Sequence, residues 1–356
     1  MHVVLVTMDS HLASAAARAN RTLAQSMPGL RLSVHAAAEW GDDDAALARC
    51  KADIATGDIV IVTMLFMEDH FLPVLPALRA RRDHCDAMVC AMSAGEVMKL
   101  TRMGKFDMGS PATGAMAFLK RLRGKTAHKS DEQSVKSSAG AQQMKMLRRL
   151  PKILRFIPGT AQDVRAYFLA LQYWLAGSED NVHHMVHFLV DRYADGERRG
   201  LRGLLRTHEP VEYPEVGLYH PALKLRLTEE GGALPPEATR GERGTVGLLL
   251  LRSYLLAGNA GHYDGVIRAL QAQGLRVLPA FATGLDSRPA IDRFFYQGGR
   301  PMVDAVVSLT GFSLVGGPAY NDAKSAEDEL ARLDVPYLAV TPVEFQTLEQ
   351  WGGSQR

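Results

Sequence analysis

Short hydrophobic runs alternate with longer amphipathic stretches along the first 118 residues. The runs VVLVTM (3–8), LRLSVHAA (30–37), DIVIVTMLF (58–66) and DAMVCAMS (86–93) are rich in residues that favour strands. The intervening stretches carry apolar residues at helical spacing. Strands that alternate with helices in this way form a parallel sheet with helices on both faces. The pattern therefore predicts an α/β domain over residues 1–118.

A second alternation of the same kind fills residues 245–356. Strands are predicted in TVGLLLLRS, LRVLPAFA, MVDAVVSL and VPYLAVT, with helices between them. The fold class expected for the chain is therefore α/β, with two doubly wound (Rossmann- or flavodoxin-like) parallel-sheet units. The last residues break off just as a helix begins after a strand, which predicts a truncated chain.

The region between the two units has a different character. Residues 119–155 hold eleven Lys or Arg against two acids, around a polar, glycine- and serine-containing centre. This composition predicts a basic flexible linker and helix over 119–160, followed by a helical and irregular segment over 161–244. The basic flanks favour either a membrane surface, an acidic partner or a solvated helix face. Nucleic acid is not expected, because few aromatics interleave with the charges.

Composition indicates the class of protein and its cellular compartment. The net charge is only +2, and 47% of residues are hydrophobic, enough for substantial cores. No signal peptide and no membrane span is recognisable. The three cysteines form no CxxC motif and no even framework, which predicts a cytoplasmic protein whose cysteines are small buried hydrophobes.

Candidate chemistry gathers where the strands of the second unit end. The loops after three strands, LAGNAGHYDG, TGLDS and SLTGFSLVGGPAYND, supply hydroxyls, amides and carboxylates. Since parallel strands end at one edge of a sheet, these loops are expected to converge on a ligand or a partner. The glycines of the last loop suit a close approach or, equally, a tight turn without a ligand.

Histidines and aromatic residues offer weaker signals. His183 and His187 lie one helical turn apart but lack the further ligands of a closed metal site, so no metal site is predicted. His220 lies in an irregular segment, where either a ligand contact or a backbone hydrogen bond is expected. Phe168, Tyr173 and Trp174 share one helix and are interpreted as core residues.

Methionines are frequent in the first domain. They suit either core packing or a surface that accommodates flat, apolar ligands. They are Met64, Met67, Met88, Met92, Met98, Met103, Met108 and Met116.

Longer strings resemble the magnesium chelatase and cobaltochelatase large-subunit family, whose magnesium chelatase member is a porphyrin-binding large subunit. The strings that show this resemblance are VVSLTGFSLVGGPAYND, LDVPYLAVTPVEFQTLEQW, GHYDGVIRALQAQGLRVLPAFATGLD, GLYHP, AQDVRAYFLALQYWLAGSEDN and SAGEVMKLTRMGKFDM. They extend over nearly the whole chain and leave out the basic linker.

The resemblance implies a function that composition does not indicate. In that family the large subunit binds protoporphyrin IX, and Mg²⁺ is inserted in (bacterio)chlorophyll biosynthesis while AAA+ ATPase subunits hydrolyse ATP. It implies those ATPase subunits, the remaining C-terminal part of the large subunit and a downstream methyltransferase as partners. The absence of GxGxxG, Walker A and GxSxG motifs in the usual context agrees with ATP being bound elsewhere.

The family's large subunits are several times longer than this chain. No catalytic residue and no metal ligand is therefore carried over, and the fragment alone is expected to be inactive. The alternatives are a docking or regulatory head for the ATPase subunits or a membrane surface, and the equivalent part of a cobaltochelatase. Substrate contacts are expected at residues of the glycine-rich loop and its neighbours, namely His220, Asp286, Thr310, Gly311, Gly316 and Gly317.

Overall fold

Two compact units, Met1–Val211 and Glu212–Arg356, make up the computed structural model of the protein. The structure describes residues 1–8, 10–41, 43–110, 150–204, 206–236, 243–317, 320–340 and 352–353. Residues 119–149 of the predicted basic linker lie outside these ranges.

The first unit contains a six-stranded sheet. Its elements are β1 (His2–Thr7), α1 (Ala13–Ser26), β2 (Arg31–Ala36), α2 (Asp44–Thr56), β3 (Ile59–Thr63), α3 (Glu68–Phe71), α4 (Leu75–Arg81), β4 (Ala87–Ala91), α5 (Gly95–Met98), β5 (Arg102–Met103), β6 (Phe106–Asp107), α6 (Thr160–Leu175) and α7 (Glu179–Tyr193), with 3₁₀ turns at Ala37–Glu39 and Gly196–Leu201.

The sheet order of the first unit is β2-β1-β3-β4-β5-β6. The first four strands run parallel, as the hydrophobic pattern predicts, whereas β5 and β6 add an antiparallel edge. Those two strands have two residues each, too few for a hydrophobic period to show in the sequence.

Helix boundaries in this unit follow capping chemistry. The Asp43 side chain accepts a hydrogen bond from the Ala46 amide at 3.0 Å and begins α2. Ser178 does the same for α7, because its side chain accepts a hydrogen bond from the Asn181 amide at 3.2 Å. The stretch between β3 and β4 forms two helices, α3 and α4, with Pro76 in the first turn of the second.

The helical part of the predicted 161–244 segment belongs to the first unit. Helices α6 and α7 pack against each other, and α7 packs on α1. Asp163 of α6 is buried and accepts hydrogen bonds from the Tyr193 hydroxyl, Arg192 and the Lys105 amide at 3.0–3.1 Å. Phe168, Tyr173 and Trp174 are buried, which confirms their interpretation as core residues.

The second unit contains another six-stranded sheet. Its elements are β7 (Val216–Tyr219), β8 (Leu227–Thr228), β9 (Thr245–Leu251), α8 (Arg252–Leu256), α9 (Gly261–Ala272), β10 (Arg276–Ala282), α10 (Arg288–Ala290), β11 (Tyr296–Gln297), β12 (Arg300–Pro301), β13 (Ala305–Ser308), β14 (Gly316–Gly317), β15 (Tyr320–Asn321), α11 (Ala323–Leu333) and β16 (Tyr337–Ala339), with a 3₁₀ turn at Gly231–Ala233 and a π-helical turn at Ile291–Phe295.

The order of this sheet is β16-β13-β9-β10-β7-β8. The four predicted strands are parallel, and β7 joins β10 in the antiparallel sense. The α/β class predicted for both units is therefore confirmed, with mixed rather than wholly parallel sheets. Gly247 illustrates the tight packing, because a Cβ there would come within 2.7 Å of the Phe295 ring.

Among the described residues, no helix is both long and apolar enough to cross a membrane. Cys50, Cys85 and Cys90 are unpaired and buried, which confirms their interpretation as small hydrophobes. Burial is the main cause that raises the pKa of Cys50 and of Cys90 to about 12.

Candidate functional site

The glycine-rich loop of the second unit folds against the loop that follows β10. The Gly316 amide donates to the Leu285 carbonyl at 2.8 Å, and the Ser287 amide donates to the Leu314 carbonyl at 3.0 Å. Asp286 and Val315 form an antiparallel bridge between the two loops. Two of the three loops predicted to converge, those after β10 and β13, thus meet at the carboxyl edge of the sheet.

A shallow, open cleft lies between these loops, with a cavity volume of only about 10 Å³, room for about one water molecule. It is lined by Leu250, Leu251, Ala282, Gly284, Leu285, Asp286, Ser287, Thr310, Phe312 and Ser313. Clefts that enclose drug-sized ligands have roughly 300–1,000 Å³. This cleft encloses no ligand of that size, so by itself it can form only one wall of a larger site.

Asp286 contributes the carboxylate of the cleft, which pairs with Arg288. The Arg288 Nη2 lies 2.6 Å from Asp286 Oδ2, and its Nε lies 2.9 Å from Oδ1. This hydrogen bond is the main cause that raises the pKa of Arg288. A cation at Asp286 would have to compete with a guanidinium held at two points.

Thr310 and Ser308 form a buried hydroxyl pair beneath the cleft. Their oxygens lie 3.0 Å apart, and Thr310 Oγ1 also accepts from the Phe312 amide at 3.2 Å. This small network fixes the start of the loop. Gly311 has a φ of 71° and Gly316 a φ of 112°, conformations that favour glycine.

The end of the glycine-rich loop is held by two further polar side chains. Ser313 Oγ donates to Asn321 Oδ1 at 2.7 Å, and Asp322 caps α11 through the Ser325 amide at 3.0 Å. Gly316 and Gly317 pair with Asn321 and Tyr320 in a two-stranded ribbon. The turn residues 318 and 319 lie outside the described residues.

His220 lies away from this cleft. The register pairs Ala282 with Val216 and Ala280 with Leu218, so β7 runs from the cleft edge towards the opposite end of β10. His220 is buried; its Nδ1 accepts from the Ala222 amide, and its Nε2 lies 3.2 Å from Gln271 Nε2. The structure therefore brings Asp286, Thr310 and the three glycines together without His220.

Phe312, Ser313, Leu250 and Leu251 also line the cleft, although they were not among the predicted contacts. The leucines end a hydrophobic strand and look like core residues in the sequence. Phe312 and Ser313 lie inside the loop that the analysis emphasised, so their proximity to its glycines was the available signal.

The histidines of α7 form a cluster with His208. The rings of His184 and His208 stack at 4.9 Å between centroids, and His183 lies 6.3 Å from His187. Burial is the main cause that lowers the pKa of His183 and of His184. In the part of the chain that the structure describes, no group of three or more His, Cys, Asp or Glu residues is arranged to hold a metal ion.

Two family models match the chain. Residues 2–168 match DUF3479, a domain of unknown function, and residues 171–356 match the CobN/Magnesium Chelatase family. The match to the second model covers more than half of the chain, which confirms the resemblance found in the sequence.

Named relatives are considerably longer than this chain. The magnesium-chelatase H subunit of Cereibacter sphaeroides is 52% identical over 351 residues, which cover 98% of this chain and 28% of that relative. The chloroplastic magnesium-chelatase ChlH protein of Oryza sativa subsp. indica is 33% identical over 98% of this chain and 25% of its own length. The chain thus spans about a quarter of these relatives.

Among solved structures, the catalytic subunit of cobaltochelatase from Mycobacterium tuberculosis superposes with a TM-score of 0.44 at 18% identity. The superposition covers 99% of this chain and 22% of that one.

Proposed function

Because this chain belongs to the CobN/Magnesium Chelatase family, we propose that it is the amino-terminal portion of the porphyrin-binding H subunit of a magnesium chelatase. The observation that carries this proposal is the 52% identity, over 98% of the chain, to a protein that bears the name of that chelatase component. The reaction is insertion of Mg²⁺ into protoporphyrin IX in (bacterio)chlorophyll biosynthesis, with both as substrates of the whole protein. We place it in the cytoplasm.

Within this chain, we propose that the cleft at the carboxyl edge of the second sheet faces the macrocycle. Its apolar wall of Leu250, Leu251, Leu285 and Phe312 suits a flat ring, and Thr310 and Ser313 place hydroxyls beside it. The cleft is too small to enclose a tetrapyrrole, so other parts of the full-length protein complete the site. The proposed set leaves out His220, whose ring nitrogens face Ala222 and Gln271.

Metal insertion requires more than this cleft offers. Magnesium sheds its water reluctantly and prefers oxygen ligands in octahedral geometry. The one carboxylate lining the cleft, Asp286, is already paired with Arg288. We therefore propose that the chain contributes binding and positioning, that insertion chemistry comes from the rest of the full-length protein, and that ATP is hydrolysed by AAA+ partner subunits.

Deuteroporphyrin IX, a soluble analogue, tests the porphyrin contact. Titration of the 356-residue chain, followed by quenching of tryptophan fluorescence, should show a dissociation constant near micromolar or tighter. Phe312→Ala should weaken binding several-fold by removing an aromatic contact, and Thr22→Val, on the exposed face of α1, serves as the matched control. If the folded chain binds no porphyrin, the residues that contact the macrocycle lie outside this segment.

A docking role for the first unit is the second candidate. Next to the basic segment, Phe156 is 84% and Ile153 54% exposed, beside Lys152 and Arg155. Apolar side chains among cations suit an acidic partner, and we propose the AAA+ ATPase subunits. The double variant I153S/F156S should lower affinity for these subunits about tenfold. Unchanged affinity would reject this docking surface, and binding to anionic vesicles instead would assign it to a membrane.

A further inference from the structure

The carboxyl edge of the first unit's sheet has features that the proposed function does not use. Its strand order begins β2-β1-β3-β4, so the chain reverses direction of winding between β1 and β3. In open α/β sheets, ligands bind in the crevice at such a reversal, outside the carboxyl ends of the strands. The residues that end β1 and β3 are Thr7 and Thr63.

Both threonine hydroxyls are buried and, within the part of the chain that the structure describes, have no hydrogen-bond partner. Thr7 is 0% and Thr63 2% exposed, and neither Oγ1 has an acceptor or a donor within reach. They come one residue after the paired residues Val6 and Val62, which makes them neighbours across the two strands. Two unpartnered hydroxyls side by side destabilise the fold, because each buried polar group without a partner lowers the free energy of unfolding by about 1–3 kcal/mol.

The same edge supplies hydrogen-bond donors from a helix. Thr7 immediately precedes the loop that leads into α1, a helix of 14 residues whose N-cap Leu12 provides no side-chain cap and whose first turn holds no acid. The Ala13 amide donates to the Ser10 carbonyl at 2.8 Å, and the positive end of the helix dipole favours an oxyanion there. Hydroxyls can donate to the same oxyanion.

An apolar rim flanks these donors. Phe66 and Met67 follow β3 and are each 54% exposed. Met64 and Met92, directly after β3 and β4, adopt positive φ angles of 61° and 45°. Such angles are uncommon for side chains of this size and occur often at ligand sites. Methionine and phenylalanine together form a surface that adapts to a flat ring.

We propose that the carboxyl edge of β1 and β3 binds a planar apolar ligand that carries an oxyanion group. The oxyanion, a carboxylate or a phosphate, accepts from the Thr7 and Thr63 hydroxyls and from the start of α1. The ring lies against Phe66 and Met67. This site belongs to the first unit and does not depend on the cleft of the second.

Two matched pairs of probes test the proposal. Flavin mononucleotide and riboflavin share a ring and differ in the phosphate, and deuteroporphyrin IX and its dimethyl ester differ in the carboxylates. Fluorescence titration of the 356-residue chain should show that one acidic probe binds at least about tenfold more tightly than its neutral partner. The pair that discriminates identifies phosphate or carboxylate as the group recognised.

Variants then locate the binding. T7V/T63V keeps the shape of both side chains and should weaken the acidic probe about tenfold or more, and Phe66→Ala about threefold. Thr22→Val, another threonine-to-valine change in this unit, should leave binding unchanged. A melting temperature of T7V/T63V at or above that of the parent chain shows that the variant folds.

Three results would overturn the site: no binding of either acidic probe, equal binding of neutral and acidic probes, or wild-type affinity in T7V/T63V. Deuteroporphyrin binding that is lost in Phe312→Ala but kept in T7V/T63V, in a chain that does not bind flavin mononucleotide, would reject this site and support the proposed function. The reverse pattern would support this site and reject the cleft of the second unit.

Discussion

The carboxyl edges of the two sheets use hydroxyl side chains in opposite ways. In the second unit, Ser308 and Thr310 bond to each other, and Thr310 accepts from the Phe312 amide. In the first unit, the hydroxyls of Thr7 and Thr63 have no partner although they are equally buried. A hydroxyl at the end of a strand can therefore hold its own loop in place or remain available to a ligand. Its hydrogen-bond partners in the fold distinguish these two roles.

The largest expected effect comes from removing a satisfied hydroxyl. Thr310→Val leaves the Phe312 amide without its acceptor, and Thr101→Val does the same to the buried Cys90 amide. Each should lower the free energy of unfolding by about 1–3 kcal/mol. Urea denaturation gives the size of the loss, and hydrogen exchange shows which unit is affected. A loss of less than about 0.5 kcal/mol in both would invalidate the contrast between the edges.

Acid should affect the first unit through its histidine cluster. The folded pKa values of His183 and His184 lie below the unfolded value of about 6.5, so the unfolded chain binds more protons below that pH. The contribution of these two histidines to the stability of the first unit is therefore fully present above about pH 6.5. It is lost as the pH falls through their folded pKa values. Each pKa unit of difference is worth about 1.4 kcal/mol.

Fluorescence of the buried Trp40 and Trp174 reports unfolding of this unit between about pH 7 and pH 5. H183Q/H184Q should flatten the dependence, and the exposed His84→Gln is the matched control. A slope that persists unchanged in H183Q/H184Q would assign the acid sensitivity to other groups, such as His2, whose pKa burial also lowers.

Removing the unpartnered hydroxyls should have a small effect of opposite sign. Thr7→Val and Thr63→Val replace a buried polar atom that has no partner with a methyl group, so each should change stability by between zero and about +1 kcal/mol. Thermal unfolding measures this directly. A loss above about 1 kcal/mol would indicate that an ordered water or another group already satisfies these hydroxyls.

The smallest effect is expected at the ion pair of the second edge. The side chains of Asp286 and Arg288 are 34% and 23% exposed, and pairs in such positions contribute about 0–1 kcal/mol. Asp286→Asn should therefore destabilise by less than about 1 kcal/mol in urea denaturation. A loss above about 2 kcal/mol would show that the bridge to Val315 depends on the charge.

The same comparison explains what the sequence could predict. Strands β1, β3, β9 and β10 are continuous apolar runs between helical patterns, so the α/β class and the convergence of the second unit's loops followed from periodicity. The antiparallel additions β5 to β8 are only two to four residues long, too short for a hydrophobic period to show. The pairing of β7 with β10 also joins residues that are distant in the chain, so local patterns did not indicate it.

Candidate sites divide in a similar way. Glycines and polar residues made the loop after β13 conspicuous, and Asp286 and Thr310 do line its cleft. Thr7 and Thr63 lie at the ends of valine-rich runs and are followed by methionines, a pattern that is typical of the hydrophobic core. Only the missing hydrogen-bond partners and the positive φ angles of Met64 and Met92 distinguish that edge, and neither is visible in one sequence.

The buried thiols give this protein a chemically silent background for site-directed labelling. The sequence holds three cysteines, and all three are buried. Because the pKa of Cys50 and of Cys90 is raised to about 12, little thiolate is present at neutral pH to react with thiol-specific reagents. A cysteine introduced at the exposed position of Met67 would carry a fluorophore or spin label beside β3. A probe placed there would register occupancy of that edge in real time, in the intact chain and without removing any native thiol.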